Sequence, residues 1–163
     1  MATPRAHLTG GYIVQQKRPS TAALAFALSL AAGNAWAANP IAVADGERSG
    51  TRVDITEIKR TSGSTVTLKF TLVNESGGNL TVSELLDHND ARNVHLIDAV
   101  GKKKYMPMMD SGNKCVCSSS LPYSLASDKS LNLWVRFPAP PGSVREISVV
   151  IPHFIPTDVA IPE

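Results

Sequence analysis

From Thr65 to Leu72 the sequence Thr-Val-Thr-Leu-Lys-Phe-Thr-Leu alternates polar and apolar side chains without a break. A period of two puts Val66, Leu68, Phe70 and Leu72 on one side of an extended chain and Thr67, Lys69 and Thr71 on the other. A helix would scatter both sets around its circumference, so this segment predicts a strand with one face in a core and one in water. The same alternation recurs at Arg52–Thr56, at Asn93–Asp98 and at Ser130–Phe137, where Leu131, Leu133, Val135 and Phe137 share a face. Val144–Ile151 and the shorter Lys103–Met106 complete the set, with Asp98-Ala99-Val100-Gly101 as a turn in which Gly101 is free to take positive φ.

Turn chemistry separates these runs: Ser62-Gly63, Gly77-Gly78-Asn79, Ser111-Gly112-Asn113 and Pro138-Ala-Pro-Pro-Gly142. Single helical turns are expected at Ser83–Leu86 and Tyr123–Ala126, and no longer helical stripe is present. About seven short strands spaced by turns predict an all-β fold, a two-sheet antiparallel sandwich, with a small β-barrel as the alternative.

The first 37 residues have a different character. Arg5, Lys17 and Arg18 precede an apolar run, Thr21–Ala32, which is followed by Ala35-Trp36-Ala37. A basic segment, a short apolar core and a small-x-small site are the parts of a secretory signal peptide, and a bilayer span needs about 20 apolar residues. The expected organisation is therefore a signal at 1–37, a flexible lead-in at 38–50 and the β domain at 51–163, with the mature protein periplasmic or secreted. Removing the leader takes away three cations and no acid, so 13 Lys and Arg remain against 14 Asp and Glu. The basic balance of the precursor thus belongs to its leader, which argues against a nucleic-acid partner, and the mature part has no membrane-spanning run.

Few residues invite chemistry. Cys115 and Cys117 are the only cysteines, and an even count in an exported chain points to a disulfide. A redox pair is a second reading. A third is a soft-metal site in which Met106, Met108 and Met109 join Cys115 and Cys117 around Cu(I). Asp87-His88-Asn89-Asp90 is dense enough in oxygen ligands for Ca²⁺, although Asx-turns account for most such clusters. His88, His95 and His153 belong to no motif for hydrolysis, metal catalysis or phosphate binding, so a non-enzyme is expected. Asn74-Glu-Ser76 and Asn79-Leu-Thr81 both fit the N-glycosylation sequon and are expected at exposed turns. Trp134 falls on the polar side of its strand beside Arg136, which marks a candidate binding surface.

The order of features also resembles a known group. Thr67–Asn74, Val94–Asp98 turning through Gly101 to Tyr105, Tyr105-Met-Pro107, Cys115-Val-Cys117-Ser118, Phe137-Pro-Ala-Pro-Pro141 and Ile147–Pro152 follow one another as in bacterial exported immunoglobulin-like domains of unknown function. They are most similar to the modules that precede OmpA-like peptidoglycan-binding domains in envelope proteins. That resemblance, over residues 50–156, implies an immunoglobulin-like sandwich and a non-enzymatic interaction module of the cell envelope. It assigns no catalytic residue and carries no wall anchoring with it. The alternative function is a small exported copper-handling or redox protein using the loop 106–117.

Overall fold

The computed structural model describes residues 39–61 and 64–162. The expected signal at 1–37 lies outside the described residues. In chain order the elements are β1 Ala42–Asp45, β2 Thr51–Thr61, β3 Thr65–Asn74, β4 Leu80–Thr81, α1 Val82–Leu86, β5 His95–Asp98, β6 Lys103–Tyr105, β7 Ser124–Leu125, β8 Lys129–Pro138, β9 Glu146–Val150 and β10 Thr157–Ala160.

The alternation around Phe70 becomes β3, the central strand of one sheet in the order β1-β2-β3-β8. Val66, Leu68, Phe70 and Leu72 are buried as expected, and on β8 so are Leu133, Val135 and Phe137. A second sheet, β10-β9-β5-β6, supplies Leu96, Tyr105, Ile147, Val149 and Val159 to the same apolar core. All pairings are antiparallel, and the two ladders stay separate rather than closing into a barrel. Segment 116–118 lies along the outer edge of β8: Arg136 N–H donates to Val116 C=O (3.1 Å) and Ser118 N–H to Trp134 C=O (2.8 Å). With that segment added, one sheet reads β1, β2, β3, β8, 116–118 and the other β10, β9, β5, β6, an all-β antiparallel sandwich.

A bulge between Ile55 and Glu57 explains how β2 keeps one face in the core. Val53 and Ile55 are two apart, but the next apolar residue, Ile58, is three further on. One extra residue in the bulge restores Ile58 to the interior, where it is buried.

Several local expectations need correction. Among the described residues ten strands form where about seven were expected, because β4 and β7 hold only two residues each and β1 and β10 four. The stretch 38–50 is not simply a flexible lead-in: it contains β1, paired with β2 through Ala42↔Ile55 to Asp45↔Arg52. Tyr123–Ala126 forms no helical turn, since Ser124–Leu125 pairs with Leu80–Thr81 instead. In the β5–β6 turn Lys102, not Gly101, takes positive φ (50°). Gly101 is needed for space: its N–H donates to Asp98 Oδ1 (2.8 Å), and a side chain there would run into that buried carboxylate. Asn74 is not at an exposed turn but fully buried, whereas Asn79 is exposed.

Candidate functional site

Alternation on β8 sends Leu133, Val135 and Phe137 inward and therefore Asn132, Trp134 and Arg136 outward. The register sets Thr71, Lys69 and Thr67 of β3 directly opposite those three. Asp54 and Thr56 of β2 extend the same face. The result is an open groove of about 800 Å³ across three strands, lined by Asp54, Thr56, Lys69, Asn132, Trp134 and Arg136 among others, with Pro40 on its border.

Trp134 is 39% exposed. Its backbone is fixed from the opposite edge, because Trp134 C=O accepts from Ser118 N–H while Trp134 N–H donates to Ser118 Oγ (2.9 Å). The side chain is thus presented to solvent on a rigid strand.

Charge on this face is unevenly committed. Asp54 accepts from Arg52 Nε (2.9 Å), whose Nη1 also reaches Glu75 (2.6 Å). Lys69 donates to Glu57 (3.1 Å). Arg136 forms no ion pair among the described residues, and its Nε is buried without a hydrogen-bond partner. Thr71 donates to Asn132 Oδ1 (2.8 Å), a bond that does not use the Asn132 amide NH₂.

The other expected sites are placed differently. Cys115 and Cys117 lie at disulfide distance, with Cα atoms 5.2 Å apart. Bonded sulfurs are not thiolates, and the soft ligand set is then left with thioethers. Met106 and Met109 are exposed and Met108 is half-buried, so these methionines do not fill the core. Their hairpin runs beside β8: Met109 pairs with Cys115, Val116 N–H donates to Met108 C=O (2.8 Å), and Met108 N–H donates to Arg136 C=O (2.9 Å). The backbone of the Met/Cys loop therefore abuts the strand carrying Trp134 and Arg136.

In the Asp87–Asp90 segment the buried Asp90 is held by Arg92, which donates from Nε (2.9 Å and 3.0 Å), from Nη2 (2.8 Å) and from its backbone N–H (3.0 Å). These bonds to Arg92 hold the Asp90 carboxyl below the usual carboxylate range despite its burial. His88 Nδ1 lies 3.1 Å from the same carboxylate but off the hydrogen-bond line. Asp90 closes an Asx-turn, and its oxygens face Arg92 rather than a common cation position. Among the described residues no group of three or more His, Cys, Asp or Glu side chains is arranged to hold a metal ion.

His95 is half-buried on β5, and burial pushes it below the ordinary imidazole range. His153 sits between two carboxylates, Nδ1 at 3.0 Å from Glu47 and Nε2 at 2.9 Å from Asp87. Both ring nitrogens are engaged, so neither is available to take a proton from a nucleophile.

Strand alternation places Trp134 and Arg136 on the outer face of β8, where the structure has them. Sequence reasoning missed Lys69, Thr71 and Asn132 as their neighbours, because cross-strand register is set by the fold. Comparison with family models, with curated proteins and with solved structures returns no match.

Proposed function

We propose that the chain is an exported, non-enzymatic binding module that captures another macromolecule of the cell envelope on the β2–β3–β8 face around Trp134 and Arg136. The observation that carries this reading is a large aromatic held open to solvent on a strand whose backbone is hydrogen-bonded on both edges. Rigid aromatic and arginine anchors of this kind concentrate binding energy in recognition surfaces. Export is supported by the residue pattern at 1–37, and the envelope setting by the resemblance over residues 50–156.

The test is capture from an envelope extract by immobilised wild-type protein and by Trp134→Ala. The variant should lose retained partner about tenfold or more while its thermal unfolding transition stays within a few degrees of wild type. Equal capture by both proteins removes this face from the function.

A further inference from the structure

We infer that the groove takes a short acidic oligosaccharide whose carboxylate is bound by Arg136 while a sugar ring stacks on Trp134. This rests on the binding-module reading above and names the ligand class of the same face.

Charge complementarity selects an anion. Of the charged groups lining the groove, Asp54 and Lys69 already have partners of opposite sign, Arg52 and Glu57. Arg136 alone has none among the described residues, and its Nε is shut away from water with no acceptor. A half-buried guanidinium with no counter-ion gains most from a carboxylate, which it binds through charge-assisted hydrogen bonds.

The other lining groups select a sugar. Thr71 of β3 and Asn132 of β8, paired across the strands two residues from Lys69 and Trp134, add a hydroxyl and an amide to the groove lining. An aromatic face with adjacent short donors and acceptors suits a ring that is apolar on its C–H face and polar at its edge. A single unpaired cation does not suit a nucleic acid, whose backbone is held by a track of Lys and Arg. An extended peptide gains its affinity by adding to a free strand edge, and the β8 edge next to the groove is occupied by residues 116–118.

The test is a panel of uronic-acid oligosaccharides (oligogalacturonate, oligoglucuronate and oligomannuronate), each beside its carboxyl-reduced neutral counterpart, with an octathymidylate as the polyanion control. Binding is read by calorimetry on the purified, disulfide-bonded protein. At least one uronate should bind about tenfold or more tightly than its reduced form. Trp134→Ala should abolish binding of both forms, and Arg136→Gln should erase the difference between them. Arg136→Lys, which keeps the charge, should retain a preference for the acid form, and it decides the matter should Arg136→Gln fail to fold.

Binding of no uronate, equal binding of the reduced forms, or equally tight binding of octathymidylate overturns the assignment. If no sugar binds but Trp134-dependent capture from the envelope extract persists, the ligand class is wrong and the binding face stands. If capture is indifferent to Trp134, the face itself is wrong.

Discussion

Asn74 shows how much one buried polar side chain can organise. Its Nδ2 donates to Gly78 C=O (2.7 Å) and Leu125 C=O (2.9 Å), and its Oδ1 accepts from Ser76 N–H (3.0 Å) and Ser76 Oγ (2.7 Å). All four hydrogen-bonding positions of the amide are filled, as burial requires. It closes the turn after β3 and ties that turn to β7. Asn74→Ala should lower unfolding free energy by about 3 kcal/mol, because Leu125 C=O and the turn amide lose their partners in the interior. A urea-unfolding midpoint measures this, and a loss below about 1 kcal/mol would mean that the turn is held by other bonds. None of this was legible in the sequence. Asn-Glu-Ser before Gly77-Gly78 reads as an exposed turn, and the acceptor that fixes Asn74 inside lies 51 residues away. Trp134 was legible because its placement depends only on its own strand's alternation.

At the scale of elements the same distinction holds. β3, β5, β6, β8 and β9 carry their own periodicity, and α1 falls where Ser83–Leu86 predicts a turn of helix. β4 and β7 exist only through each other, in the two pairs Leu80↔Leu125 and Thr81↔Ser124, so neither leaves a local signal. β1, Ala-Val-Ala-Asp, buries only Ala44 well, and β10, Thr-Asp-Val-Ala, only Val159. Strands that contribute one side chain to the core show too short a pattern to distinguish from a linker. The bulge in β2 hid the second half of that strand, since Thr56 and Glu57 break the alternation that Ile58 resumes. The groove, likewise, was legible on β8 and illegible on β2 and β3, whose contributions follow from register.

For the whole molecule, the His153 cluster joins three separate connections. His153 (φ 64°) stands between β9 and β10, Glu47 between β1 and β2, and Asp87 (φ 56°) just after α1. The hydrogen bond to Asp87, then that to Glu47, raises the His153 imidazole above its ordinary range. Its stabilising contribution is therefore complete below the unfolded value of about 6.5 and fades as pH rises through the raised folded value. His95, lowered by burial, acts in the opposite sense and favours unfolding as pH falls below about 6.5. Between about pH 6 and pH 9, the wild-type melting temperature should fall more than that of His153→Gln. Parallel melting curves across that window would show that the clamp carries no net charge coupling. The choice of production host raises a separate matter of compartment. An oligosaccharyltransferase acts on the nascent chain, before Asn74 is enclosed, and would load the nitrogen that donates to Gly78 and Leu125 in the finished protein. Material secreted by a eukaryotic cell should therefore divide into a folded fraction glycosylated at Asn79 alone and a misfolded fraction carrying sugar at Asn74. Intact mass and peptide mapping of the folded fraction would reveal any exception. Production in a bacterial host, which offers this sequon no general transferase, should leave that nitrogen free to enter the core.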